Sequence, residues 1–178
     1  DRLHEVLAGV TIVNDVSAFD FDPELGPLVA RVGAPVVLMH AQGVPATMQD
    51  DPRYGDVLLD VYDALAARLA RAEALGIARD RIVLDPGIGF GKTYQHNVEL
   101  LRNQRAFTDL GYPLLIGVSR KAVIGIMTGR PALERVVGSA IAAAFAVQAG
   151  ASIIRAHDVS ATVDAVKVAV ALRGREAR

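Results

Sequence analysis

The 178-residue sequence contains no cysteine, which excludes disulfides, thiolate metal sites and cysteine nucleophiles. It has no excess of positive charge: 19 Lys+Arg against 20 Asp+Glu leave a formal charge of -1. The basic surface that nucleic-acid binding requires is therefore absent. Long apolar runs are also lacking, because the most hydrophobic window, Ala140 to Ile154, is mostly alanine and is broken by Gln148 and Gly150. No membrane span is expected. The sequence opens on Asp1 with no basic segment, apolar segment and cleavage site in succession, so a cytoplasmic location is the expectation. Aromatic residues make up only 5%. What remains is the composition of one globular domain, 52% hydrophobic and 22% charged.

Five short runs rich in Val, Ile and Leu predict strands over Thr11 to Ser17, Pro35 to His40, Arg81 to Asp85, Pro113 to Ser119 and Ser152 to His157. Helical patterns fall between them at Pro23 to Val32, Tyr54 to Leu75, Asn97 to Leu110 and Ala132 to Ala149, with a last one from Ser160 to Leu172. Gly33, Gly76, Gly111 and Gly150 each follow a helix and precede a strand. This strict alternation predicts a parallel α/β sheet covered by helices, either an open doubly wound sheet or a closed barrel. Five units suit the open sheet. Asp1 to Leu7, however, reads as the end of a helix closed by Gly9, and on that reading the five units are the last of eight.

Parallel α/β folds gather their chemistry where strands end and βα loops begin. Those points are Asn14-Asp15, Met39-His40, Asp85-Pro86-Gly87, Ser119-Arg120-Lys121 and Arg155-Ala156-His157-Asp158. All five are polar, which a purely structural sheet does not need. The segment from Asp85 to Thr93 approaches the phosphate-loop pattern but fails it, because Pro86 stands where the first glycine belongs. What it offers is a strand-end carboxylate followed by Gly87, Gly89 and Gly91, which let backbone approach a flat ligand closely. In the last strand a period of two puts Arg155 and His157 on one side, a pairing suited to an anionic oxygen cluster, with Lys121 as a third donor. His40 lacks a partner at zinc-motif spacing and reads as structural. His4 and His96 read as surface residues, and Arg68, Arg71 and Glu73 as a solvated helix face.

These segments, in this order, resemble the dihydropteroate synthase family. The resemblance rests on 11–17 (Thr-Ile-Val-Asn-Asp-Val-Ser), Met39-His40 with 47–49 (Thr-Met-Gln), 85–93 (Asp-Pro-Gly-Ile-Gly-Phe-Gly-Lys-Thr), 117–121 (Gly-Val-Ser-Arg-Lys) and 155–159 (Arg-Ala-His-Asp-Val). It implies a pterin-binding (β/α)8 TIM barrel of which 1–178 supply strands 4 to 8, the first three units being missing. The implied activity joins a dihydropterin pyrophosphate to p-aminobenzoate with loss of pyrophosphate, a folate-pathway transfer that sulfonamides target. Asp85, Lys121, Arg155 and His157 would be catalytic. Asp85 and Asn14 would read the pterin's N–H edge, Lys121 its carbonyl and ring nitrogen, and Arg155 with His157 the pyrophosphate. Ser119 would face the aminobenzoate carboxylate and Phe90 and Lys92 line that pocket. Met39 would lie against the pterin face, with Gly89 and Gly117 leaving room. Mg2+ is implied as cofactor, its main protein ligand expected in the missing amino-terminal part, and a homodimer is implied through the alanine-rich stretch from Ala140 to Ala149. The sequence departs from the family at Ala122-Val123 and at Ala41, beside the pockets. A non-catalytic pterin-binding relative or fragment, a corrinoid-dependent pterin methyltransferase and an unrelated flavodoxin-like domain stand as alternatives.

Overall fold

The computed structural model describes residues 11–44 and 46–173. The helix end expected at Asp1 to Leu7 lies outside the described residues. Five strands, β1 (Val13–Asp15), β2 (Val36–Met39), β3 (Ile82–Asp85), β4 (Leu115–Ile116) and β5 (Ile153–Ile154), alternate with helices. The helices are α1 (Leu25–Val32), α2 (Val57–Ala74), α3 (Tyr94–Asn103), α4 (Ala122–Thr128), α5 (Val136–Gln148) and α6 (Val159–Leu172). All strand pairs are parallel: β1 pairs β2, β2 pairs β3, and β4 pairs β5. A parallel bridge between Leu84 and Leu114 joins the two groups.

The spatial order therefore follows chain order with no reversal, whereas a doubly wound sheet changes direction at a switch point. The row is also strongly curved. Arg155, just past β5, lies 3.2 Å from Asn14 in β1. Four strand spacings in a flat sheet would cover about 19 Å, roughly twice what the two side chains can bridge. Winding in one sense with that curvature is the winding of a β/α barrel. Among the described residues the arc stays open, since β1 and β5 do not pair.

Burial explains why these segments are strands. Every residue of β2 and β3 is buried, as expected for parallel strands covered on both faces. Alternate residues separate the two sides: Leu38, Leu84 and Ile116 join the large core beneath the helices, while Val37, Val83 and Leu115 form a small cluster on the concave side. On that side period two places Met39, Asp85, Gly117 and Arg155 next in line. The longest helix, α2, starts at Asp56, whose carboxylate accepts from the N–H groups of Leu58 and Leu59, both at 3.0 Å. It buries Val57, Val61, Leu65, Leu69 and Ala72 at helical spacing.

Several elements differ from the sequence expectation. The strands are shorter, and β5 ends before Arg155, because the strand-end segments turn into loops held by side chains. The helix expected to 110 breaks at Asn103 into a 3-10 turn over Gln104–Leu110. Helix α4, which sequence periodicity did not indicate, is only seven residues long and fills the β4 loop.

Candidate functional site

The concave strand ends bring together residues far apart in the chain. Asp85 closes β3 in register with Met39 of β2 and is 1% exposed. Its Oδ1 accepts from the Gly87 N–H at 2.8 Å, and its Oδ2 accepts from Arg155 Nη2 at 3.1 Å. The same guanidinium donates through Nη1 to Asn14 Oδ1. Burial pushes the Asp85 carboxyl upward, opposed by Arg155, the Gly87 N–H, Lys121 and Lys92 in decreasing order. Asp85 is thus a buried carboxyl group shifted upward on balance, with surrounding cations offsetting part of the cost of its charge.

Two lysines flank it, Lys92 from the same β3 loop and Lys121 from the loop after β4. Lys121 donates to the Ile88 carbonyl and its ammonium lies 4.6 Å from the centre of the Phe90 ring. Burial lowers its pKa to about 8, opposed by Asp85. Lys92 was expected in a pocket wall; instead its side chain turns inward. Its Nζ lies 2.9 Å from His40 Nδ1, 3.0 Å from the Phe90 carbonyl and 3.4 Å from the His40 carbonyl. Burial brings the Lys92 ammonium down to about 7 and, with Lys92 and Arg68 nearby, the His40 imidazole down to about 2. With the ammonium donating, His40 is a neutral ring whose Nδ1 accepts.

The glycine loop after β3 is built for close approach. A Cβ on Gly87, at φ +68°, would stand 1.8 Å from the His40 carbonyl oxygen, so no side chain fits. Beside Gly117 a Cβ would come within 2.7 Å of Arg155 Nη2, and beside Gly89 within 3.2 Å of the Lys121 stem. The two glycines expected to leave room for a ligand thus stand beside the Lys121 and Arg155 side chains. Ser119 Oγ accepts from the His157 N–H at 3.1 Å and lies 3.2 Å from His157 Nδ1. Ser119 and His157 therefore form one unit, with Arg155 turned away toward Asp85. Met39 is fully buried, its carbonyl held by Arg68 Nη1 at 3.0 Å.

Sequence reading missed the supports of this site. Arg68, taken for a solvated residue, also reaches Asp20 at 3.5 Å and its side chain is only 14% exposed; its position three residues past buried Leu65 and four before buried Ala72 is the signal that locates it on the covered edge of α2. Arg71 pairs with Asp20, and Glu73 accepts from the Tyr112 hydroxyl. His96, expected at the surface, completes a capping box with Thr93 at the start of α3. Asn97 is buried; its Oδ1 accepts from the Gly89 N–H at 2.6 Å, and Gln49 Nε2 donates to the Gly89 carbonyl at 2.6 Å. Arg120 grips Asp158 through Nε and Nη2 at 2.9 and 2.5 Å, tying the β4 loop to the β5 loop. Among the described residues no group of three or more His, Asp or Glu could hold a metal ion; these residues do not by themselves provide a Mg2+ site.

Fold and side chains together define an α/β protein wound as in a β/α barrel, with a cluster of charged groups at the carboxyl ends of its strands. The chain belongs to the family described as pterin binding enzyme, whose model matches residues 4–157. It is 49% identical over 170 residues to the dihydropteroate synthase of Neisseria meningitidis serogroup B, covering 93% of this chain and 60% of that protein. Dihydropteroate synthase from Thermus thermophilus, solved in complex with 6HMPPP, superimposes with a TM-score of 0.91 at 41% identity, over 96% of this chain and 68% of that one. The Xanthomonas albilineans enzyme, solved with 4-aminobenzoic acid, gives 0.88 at 42% identity, over 97% and 62%. The chain thus spans about 60% of the length of the curated relative it matches.

Proposed function

We propose that the chain carries the last five βα units of a (β/α)8 pterin barrel, 1–178 supplying strands 4 to 8, and serves dihydropteroate synthesis. The observation that carries this reading is the convergence of Asn14, Asp85, Lys121 and Arg155 from four strand ends onto one concave face. Relatives solved with 6HMPPP and with 4-aminobenzoic acid support the substrates, a dihydropterin pyrophosphate and p-aminobenzoate. In the reaction the arylamine nitrogen forms a bond to the exocyclic methylene carbon, the carbon–oxygen bond to pyrophosphate breaks, and the arylamine gives up a proton.

Each side chain has a part in that transfer. Asp85 accepts hydrogen bonds from the pterin's N–H edge, and its negative charge favours the positive charge that develops on the ring as pyrophosphate departs. Asn14 accepts from the same edge. Lys121 donates to the ring carbonyl and nitrogen; Arg155 and His157 hold the departing pyrophosphate. Ser119 and Phe90 border the aminobenzoate pocket, and Lys92 supports its floor from behind. The family's Mg2+ chemistry would assist the leaving group.

We further propose a homodimer and a cytoplasmic location. The dimer surface is the face of α5 on which Val137, Ile141 and Phe145 stand exposed at i, i+4 and i+8, rather than its alanines, of which Ala143 and Ala146 are buried. With Met127, Ile124 and Leu101 it borders a cleft of about 620 Å³. No helix among the described residues is long and apolar enough to cross a membrane.

Calorimetric titration with a dihydropterin pyrophosphate analogue, then with p-aminobenzoate and Mg2+, followed by an assay for dihydropteroate, tests the function. Binding and turnover are expected from the chain together with the first three units. A preparation with all eight units that binds neither substrate would refute it.

A further inference from the structure

The acceptors that the proposed function reserves for the pterin already hold a group of the same shape. Arg155 Nη2 and Nη1 donate to Asp85 Oδ2 and Asn14 Oδ1 at 3.1 and 3.2 Å. A guanidinium is a planar carbon bearing a row of N–H donors. The amino-pyrimidinone edge of a pterin presents the same nitrogen–carbon–nitrogen pattern in one plane. Both groups approach this acceptor pair edge-on with a row of N–H donors, so they compete for it.

We infer that Arg155 is the specificity-determining residue of this site: it occupies Asp85 and Asn14 until an anionic arm on the ligand draws it away. A guanidine-edged ring without such an arm displaces the guanidinium into water and leaves it unpaired. A ring bearing a diphosphate supplies a new bidentate partner as it takes the old ones. The site therefore selects the diphosphate-bearing ligand over the corresponding alcohol, although the ring contacts are identical. This inference rests on the pterin reading above and adds the reason the activated form is preferred.

The surroundings suit such an exchange. Gly117 has no Cβ to obstruct the guanidinium, which passes where that atom would stand. The Arg155 side chain is 38% exposed, whereas Asp85 is 1% exposed. Departure of Arg155 thus needs no rearrangement of the core. The carboxylate stays aimed, because the Gly87 N–H holds Oδ1. Lys121 stays against the Ile88 carbonyl, and the His157–Ser119 pair stands at the neighbouring loop to receive phosphate oxygens.

The test measures binding of a pterin alcohol, with and without inorganic pyrophosphate, to the chain joined to the first three units and to its Arg155→Gln variant by calorimetry at pH 8, which favours ionised Asp85. Circular dichroism confirms that both are folded. In the unchanged chain the alcohol binds weakly and saturating pyrophosphate tightens it about tenfold; by linkage the alcohol tightens pyrophosphate by the same factor. In Arg155→Gln the alcohol binds about tenfold tighter than in the unchanged chain, and pyrophosphate no longer improves it. Equal or weaker binding of the alcohol by Arg155→Gln, or persistence of the coupling, overturns the inference. The nitrogen NMR signal of the Arg155 Nε–H gives a reading without any pterin. If it moves on Asp85→Asn and on addition of pyrophosphate, occupancy and displacement stand; if it ignores both, the inference falls. Loss of pterin binding in every preparation while that signal responds would retain the exchange and refute pterin as the ring.

Discussion

Asp85 combines nearly complete burial with several cations that offset part of the cost of its charge, so its substitution separates charge from shape. Asp85→Asn keeps the volume and the Gly87 hydrogen bond but loses the charged acceptor. Affinity for a pterin pyrophosphate analogue should fall about tenfold or more, measured by calorimetry, with the thermal midpoint little changed. His40 carries a prediction about pH. Its folded imidazole is lowered to about 2, whereas the unfolded ring titrates near the ordinary value of about 6.5. Between those values the unfolded chain binds the extra proton, so stability is lost progressively as pH falls from about 6.5. Urea midpoints measured from pH 7 to pH 4 should show this decline, and His40→Gln should flatten it, since glutamine gains no proton. An unchanged slope in the variant would assign the acid sensitivity to other groups.

At the level of elements, α2 and the glycine loop make the clearest claims. Removing the cap with Asp56→Ala should cost about 1 kcal/mol in urea unfolding, because two N–H groups lose their acceptor. Gly87→Ala should be far worse, since its methyl would meet the His40 carbonyl; a folded, fully binding variant would contradict that packing. The order and type of most elements were legible in the sequence because parallel strands are short apolar runs and glycines punctuate the helix ends. Helix α4 was not, being seven residues of nearly uniform apolar character with no contrasting polar face. The positions of Asn14, Asp85, Lys121, Arg155 and His157 at strand ends were equally legible. Where their side chains go was not: the inward turn of Lys92 and the grip of Arg120 on Asp158 depend on neighbours from other loops, 52 and 38 residues away in the chain.

For the whole molecule, the exposed row of Val137, Ile141 and Phe145 predicts association. Ile141→Glu combined with Phe145→Glu should shift a dimer to monomer in light scattering at micromolar concentration while leaving pterin affinity within about twofold, because the row lies on a helix away from the strand ends. A variant that stays dimeric would assign association to another face. The curvature of the strand row has a different consequence, for the order of events in folding. The contact between Arg155 and Asn14 closes a loop of 141 residues, so its entropic cost is met only after the intervening units have docked. The proposed site is consequently among the last features to form, and a ligand that requires it holds the entire arc against unfolding rather than one loop of it.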